Sequence, residues 1–486
     1  MHKHGLIYRE RNASILFGLF GAVIGLLTPI AVEQATTAKG LLLALAPLFL
    51  PVILLLAIRP VFGAAALIGF GFINPSLLPP FMELGPLTLR YVDGVFALLI
   101  GVLLARSAIQ RRAVISSEVR ELFTPLAFFL LYVGLSLVLV RISAPTFIGA
   151  SAASYMRLLL TASFVPVLCL ILRDEWDIQL FNKALIFFSI ATVAGGAALV
   201  GAGGAEALAG RSGGVIGIGS LGLVSGLLVL YAPIKKDANR RWMAWLFPLA
   251  VGLLGLYLAK TASAAFAIAV TTTIYFASMR SRRVDLIRWT VIGAAMMVVA
   301  LVAIFSLRES DVSGAANLSG GSFAERLMIG YAGLQIFLDN PVTGVGWQAS
   351  TAEEVLGSRA LMAAVDERFP LMDSQYFSTA LPSTLHNMYI QFLAELGIIG
   401  FALFVWVCFR TGKSVARMVK NIPAESPYKV AAQFYALALI FLLIWWNNNP
   451  LFGGQIETML AFTFLAVLAK MAELERQRVK PSPVKP

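Results

Sequence analysis

The sequence predicts an all-α polytopic membrane protein of about fourteen transmembrane helices with one large loop on its outer face. Composition is the first reason. Apolar types make up 59% of the 486 residues and charged types 13%, and mean hydropathy is +0.82. A soluble domain carries roughly 25% charged residues, so this chain has too little polar surface to cover a soluble core. A soluble enzyme, a disordered protein and a disulfide scaffold are disfavoured together. The second reason is the recurrence of apolar runs near the roughly 20 residues that a span requires. The third is the way the basic residues sort between the two faces.

The runs fall at 14–32, 40–58, 61–78, 91–105, 122–140, 155–172, 180–201, 214–232, 242–259, 262–279, 289–307, 385–409, 430–447 and 455–471. The first follows a basic start, but it is too long for a signal peptide and a second run follows closely, so it reads as an uncleaved helix. The run at 61–78 is interrupted by Asn74 and Pro75, and 91–105 is short. Residues 308–384 form the one long connection, and a connection of that length is usually functional or disordered. Within it, Leu327, Tyr331, Leu334 and Leu338 fall at helical spacing, which suggests a helix lying on the outer membrane surface. The tail after about Glu475 is short and polar.

With the N-terminus placed in the cytoplasm and the spans alternating, the outer face holds Lys39, Arg90, Arg141, Arg157, Arg211, Lys260, Arg308, Arg326, Arg359 and Arg368, and the other 28 of the 38 basic residues are cytoplasmic. The formal charge of +12 is therefore mostly a topology signal. It requires no nucleic acid.

The outer minority needs another reason. Arg211 lies in Ala209-Gly210-Arg211-Ser212-Gly213-Gly214 at the outer start of a span, where helix-start amides and a guanidinium favour an anion. Lys260 sits in a tight turn between two spans, and Arg326 opens the amphipathic segment. Snorkelling or local ion pairing is the alternative for each.

His386 is the only histidine outside the N-terminal tail. With Ser383 or Thr384 as N-cap, it falls in the first turn of the next span at its outer end. The helix dipole there disfavours the imidazolium, and a neutral imidazole is what a general base requires. A capping or interfacial histidine is the alternative. Glu395 lies about 13 Å deeper along the axis and on the opposite face, so the two cannot form an acid–base pair on one helix. A carboxyl inside a span normally has a partner, and Glu395 is expected to bond a neighbouring helix, with Gly397 and Gly400 allowing close approach. Cys169 and Cys408 lie in apolar runs and read as small core residues, neither disulfide nor metal pair. The chain has no Walker loop, HExxH or CxxC and no paired aspartates that would hold a metal beside a nucleotide.

Two segments together resemble a known family. Arg326 followed by Pro341-Val342-Thr343-Gly344-Val345-Gly346 is similar to an R…P-x-x-G-x-G pattern at the start of a large periplasmic loop. The stretch His386-Asn387-Met388-Tyr389-Ile390-Gln391-Phe392-Leu393-Ala394-Glu395-Leu396-Gly397-Ile398-Ile399-Gly400 is similar to an H-N-x-(Y/F)-(L/I)-x-x-x-x-E-x-G-x-x-G signature. Both resemble the O-antigen ligase and Wzy-type polysaccharide polymerase superfamily, over about residues 205–410. The resemblance implies a GT-C-like, inverting, metal-independent glycosyltransferase of the bacterial inner membrane. Both termini would be cytoplasmic, the active site would face the periplasm, and no cofactor would be needed. Its donor would be a glycan on undecaprenyl diphosphate, and its acceptor either a second lipid-linked glycan or lipid A–core. His386 would take the place of the family's catalytic histidine, Arg211 and Arg326 would grip the diphosphate, and Asn387, Glu395 and Gly397 would support the site. The family's T-x-S-R arginine is absent, because Ala264 follows Ser263. Lys260 is the candidate substitute, as a point charge without the bidentate fork. The implied organisation is an N-terminal helical part (1–204), a ligase/polymerase-like part (205–472) and a cytoplasmic tail (473–486). A transporter or flippase of lipid-linked glycan is the competing class.

Overall fold

The computed structural model describes residues 59–72, 82–84, 87–89, 100–101, 116–201, 218–238, 241–259, 262–278, 322–370, 385–448 and 456–479. The chain divides into two compact units, Met1–Phe62 and Gly63–Pro486. The second unit begins within α1 (Val61–Phe72) and holds every later element.

The described residues are almost entirely helical. Among the described residues, the one sheet is a two-strand antiparallel pair, β1 (Met82–Leu84) with β2 (Leu87–Leu89). The sequence between the strands is Gly85-Pro86, a turn-forming pair flanked by short alternating segments. Next come α2 (Ser117–Ser143), α3 (Ile148–Ala162), α4 (Phe164–Ile171) and α5 (Glu175–Gly201). Then follow α6 (Ile218–Ala238), α7 (Met243–Ala259) and α8 (Ala262–Ser278). The long connection contributes α9 (Ser322–Asp339), α10 (Glu353–Leu356) and α11 (Arg359–Arg368), and α12 (Met388–Asn421), α13 (Lys429–Trp445) and α14 (Ile456–Val479) follow.

Among the described residues, four helical segments are long and apolar enough to cross a membrane, namely Ser117–Ser143, Pro145–Ile171, Glu175–Ala198 and Met388–Asn421. Shorter apolar helices at Leu221–Ala232, Met243–Ala259, Ser263–Tyr275 and Lys429–Trp445 fall on other expected spans. The expected spans at 14–32, 40–58 and 289–307, and nearly all of 91–105, lie outside the described residues. Two limits differ from the sequence reading. The segment expected at 155–172 starts at Pro145, which places Arg157 inside α3, where the sequence reading had it at an outer end. The segment expected at 385–409 runs on to Asn421. That extension carries Arg410, Lys413, Arg417 and Lys420, so the apolar stretch runs on into a basic helical end.

The faces of α2 show what solvent surrounds the bundle. Leu122, Leu126, Phe129, Val133 and Val140 are buried, while Phe128, Leu131, Leu135, Val138 and Ile142 are exposed. The exposed set recurs every three or four residues, so it forms one apolar stripe. Such a stripe is a liability in water and a matched surface in lipid. Ser116 starts the helix, its side chain accepting from the Val119 N–H at 3.4 Å. On the inner side, α7 lies close to α6 through small residues: a Cβ at Gly252 would stand 2.9 Å from the Ser225 carbonyl. Cys169 is a buried free thiol that donates to the Ala466 carbonyl at 3.1 Å, and Cys408 is a partly buried free thiol.

The alternating topology fixes an expected sidedness. With background label read from the wild-type chain, Ala360→Cys should react with a membrane-impermeant maleimide on intact cells, and Gln477→Cys only after permeabilisation. The reverse pattern overturns the orientation.

Candidate functional site

The site begins with an interrupted helix. Gly397, about 13 Å into α12, has φ 61° and ψ −168°, which breaks the helix. The N–H groups of Ile398 and Ile399 no longer reach the carbonyls of Ala394 and Glu395. The segment Pro341–Gly346 takes over all four groups. Val345 N donates to the Ala394 carbonyl at 3.0 Å and Gly346 N to the Glu395 carbonyl at 2.8 Å. In return Ile398 N donates to the Pro341 carbonyl at 2.9 Å and Ile399 N to the Val342 carbonyl at 3.3 Å. The remaining carbonyl, that of Leu396, accepts from the Tyr132 hydroxyl of α2 at 3.0 Å. Non-helical backbone at the depth of a span is tolerated where other protein groups satisfy it, and here they take up these five groups.

Glycine is required on both sides of this lock. Gly344 has φ +70°, and its Cβ would stand 2.6 Å from Leu396 N. A Cβ on Gly397 would stand 2.6 Å from Thr343 N. A Cβ on Gly346, at φ +99°, would stand 2.7 Å from the Ser136 carbonyl of α2. The two glycine patterns singled out in the sequence are thus the two halves of one contact.

Glu395 belongs to the same lock. It is fully buried. One carboxylate oxygen accepts from the Ser350 hydroxyl at 2.6 Å and the other from the Gln391 amide at 3.2 Å. The main-chain N–H of Gln348 also donates to it. The expected partner was a neighbouring helix. The observed partners are the turn Ala349–Thr351 of the outer loop and Gln391 of its own helix, because the lock brings loop backbone where a helix was expected. Trp347, fully buried, packs on Phe392 at 6.2 Å, and Phe392 on Phe404 at 4.8 Å, sealing this region.

The described part of the outer loop has a core of its own. Met328, Ile329, Ala332 and Ile336 of α9 pack with Val345, Leu356, Leu361 and Val365, over Val140 and Ala144 at the end of α2. Tyr331 meets Phe369 edge-on at 5.6 Å. Thr146 donates to Glu354 through both its hydroxyl and its N–H. The Thr146 hydroxyl bond, foremost, holds that carboxyl below its ordinary range. The expected helix over 323–338 is therefore present as α9, with two apolar faces. Leu327, Leu334 and Leu338 are exposed, and Met328, Ile329, Ala332 and Ile336 are buried.

His386 differs from its expected position. The N-cap of α12 is Asn387, whose side-chain oxygen accepts from Tyr389 N at 2.9 Å and Ile390 N at 3.1 Å. Ser383 and Thr384 lie outside the described residues. His386 thus precedes the cap and stands outside the first turn, with φ 48°. Asparagine is among the strongest cap formers, and it displaces the boundary from the Ser383 or Thr384 expected in the sequence. A left-handed histidine costs about 1–2 kcal/mol. Leu385, buried on one side, and the Asn387 cap on the other hold it there. α9 packs against this turn: a Cβ at Gly333 would stand 2.6 Å from Ile390 and 2.9 Å from Leu385. Arg326 is on the same helix, one turn before Gly330, which also faces Ile390. The fold therefore brings the helix of Arg326 to the turn of His386. Arg211 and Lys260 lie outside the described residues. Sequence reasoning missed Asn447, whose Oδ1 accepts from Asn387 Nδ2 at 3.1 Å. Its signal was the run Trp445-Trp446-Asn447-Asn448-Asn449 at a span's end.

Residues 247–405 match the family model described as O-antigen ligase. The match covers about a third of the chain and makes that part similar to the O-antigen ligase family. It spans both halves of the lock, together with Lys260, Arg326, His386, Asn387, Glu395 and Gly397, and leaves Arg211 outside. No curated protein matches the sequence. The apolar helices indicate a membrane protein.

The lock makes Gly344→Ala and Gly397→Ala each destabilising by more than about 2 kcal/mol. Gly412→Ala, at an α12 glycine with open space around it, should be neutral or stabilising by up to about 1 kcal/mol. Thermal unfolding of the three variants in one detergent checks this, and equal behaviour would remove the lock from the stability of the fold. Glu395→Ala leaves buried donors unpaired and should cost about 3 kcal/mol, more than Glu395→Gln.

Proposed function

We propose that this chain is an inverting, metal-independent membrane glycosyltransferase. It moves a glycan from undecaprenyl diphosphate to an acceptor hydroxyl at the periplasmic face of the bacterial inner membrane. The observation that carries the reading is the convergence of the His386 turn and the Arg326 helix at the outer end of α12, inside the matched residues. His386 accepts the proton of the acceptor hydroxyl. The hydroxyl oxygen bonds to the anomeric carbon as the carbon–oxygen bond to the diphosphate breaks, and undecaprenyl diphosphate departs with the electron pair. Arg326 and Arg211, with Lys260 as a point charge, hold that diphosphate and stabilise its developing charge. The outer loop covers the site and excludes water. Residues 205–472 form the transferase part, with 1–204 as accompanying helices and 473–486 as a cytoplasmic tail.

Two acceptors are compatible with this chemistry. The polymerase version, with a second lipid-linked glycan as acceptor, is the one suited to a chain of 486 residues with many spans. The ligase version, with lipid A–core as acceptor, is favoured by the description of the matching family. A transporter would use a broken helix to bind its cargo near the midplane. The break at Gly397 is unlike that, because loop backbone and Tyr132 take up the peptide groups it frees.

Purified protein in nanodiscs, given an undecaprenyl-diphosphate-linked oligosaccharide, should form glycosidic product that survives EDTA. His386→Ala should lower the rate at least about 100-fold. Unchanged activity in that variant overturns the role of His386, and translocation without bond formation overturns transfer. Product on lipid A–core identifies the ligase version, and elongated lipid-linked glycan the polymerase version. Arg326→Ala should weaken activity more than Arg326→Lys, which keeps the charge and loses the fork.

A further inference from the structure

We propose that Asn447 is a positioning residue that aims the His386 turn through Asn387. This rests on the reading of His386 as the base. The Asn387 side chain does two jobs with opposite ends of its amide. Its oxygen caps α12 by accepting from Tyr389 N and Ile390 N. Its Nδ2 donates to Asn447 Oδ1 at 3.1 Å. Two residues further on, the Tyr389 hydroxyl donates to the Leu443 carbonyl at 2.6 Å. The start of α12 is therefore tied twice to one place, the end of α13 and the turn Trp446–Asn448.

That turn is itself rigid. Trp445 and Trp446 are both buried. Trp445 stacks on Phe441 with ring centres 5.9 Å apart, and it hydrogen-bonds Glu457 in the first turn of α14. Asn447 projects from this anchored backbone into an exposed position, so its amide is fixed at the base and open at the tip. A hydrogen bond between exposed side chains contributes little to folding, and the cap is complete without it. What the bond adds is orientation. It prevents rotation of the Asn387 amide and holds the strained residue before it at one azimuth around the helix axis. A base must meet its proton donor within hydrogen-bond reach, and small displacements cost rate steeply.

The chemistry of the amides supplies the test. Asn447→Asp still offers an acceptor to Asn387 Nδ2. Asn387→Asp still caps the helix, and Asn447 can turn its amide to donate to it. The double variant faces two acceptors of like charge and cannot form the bond. In nanodiscs, with an undecaprenyl-diphosphate-linked oligosaccharide as probe and at a pH where the wild-type rate is independent of pH, each single aspartate variant should keep kcat within about 1.5-fold of wild type. The double variant and Asn447→Leu should each lose about tenfold in kcat, with KM within about twofold. Asn447→Leu should move the melting temperature by less than about 2 °C. Wild-type kcat in Asn447→Leu, or a double variant equal to the product of its singles, overturns the positioning role while an inactive His386→Ala leaves the transferase reading standing. Full activity in His386→Ala overturns the role of His386 as base, and the positioning role with it, while transfer itself stands.

Discussion

A helix broken in an apolar environment frees peptide groups that lipid cannot satisfy, and each costs several kcal/mol if left unpaired. The break at Gly397 is stable because Pro341–Gly346 supplies donors and acceptors in the right order, two each way. Much of the outer-face structure depends on that exchange. It brings the loop down beside α12, seats Gly346 against Ser136 of α2, and lets Ser350 reach the Glu395 carboxylate. It also joins the middle of the long loop's core to the helix that follows the loop. The described loop is in this way a docked layer over the outer end of the bundle.

The lock also explains why a buried carboxylate is compatible with a span. Glu395 faces the Ser350 hydroxyl, the Gln391 amide and the Gln348 N–H. With three donors it needs no basic partner. Its role is that of a clasp, which leaves the start of α12, with His386, as the place proposed for chemistry. The lock fixes the lower part of α12, and α9 and the end of α13 fix its upper end.

Much of this is legible in the sequence, for reasons that differ from residue to residue. Helices at 122–140, 180–201 and 242–259 are read easily because an apolar run has no other way to satisfy its backbone in lipid. The stripe Leu327, Leu334 and Leu338 is visible from its spacing, but it covers the exposed face of α9. The buried face, Met328, Ile329, Ala332 and Ile336, is just as apolar, so periodicity alone cannot say which side packs on protein. The glycines at 344, 346 and 397 stand out as a pattern. That they interlock does not, because pairing across about fifty residues of sequence leaves no local signal. The N-cap differs from expectation for a similar reason. Ser383, Thr384 and Asn387 all have capping side chains, and the choice depends on a tertiary contact, the burial of Leu385 against Gly333 of α9. Asn447 escapes sequence reasoning because its partner lies 60 positions away.

The shift of His386 out of the helix changes how its chemistry should be understood. Inside the first turn, the imidazole direction would follow the helix axis and rotate with any adjustment of α12. Ahead of the cap, it follows the φ of a single left-handed residue. Left-handed non-glycine residues persist where the surroundings over-determine them, and they concentrate at functional positions. Here the surroundings are identifiable: Leu385 held in the loop core, the Asn387 amide engaged at both ends, and Tyr389 tied to Leu443. A strained residue fixed from three directions, beside the helix that carries Arg326, is what a base requires if it must meet one hydroxyl of a mobile glycan while the charged leaving group is held by other elements. Stability alone would favour a relaxed residue at this position, and that is the physical reason the proposed reaction is assigned to it.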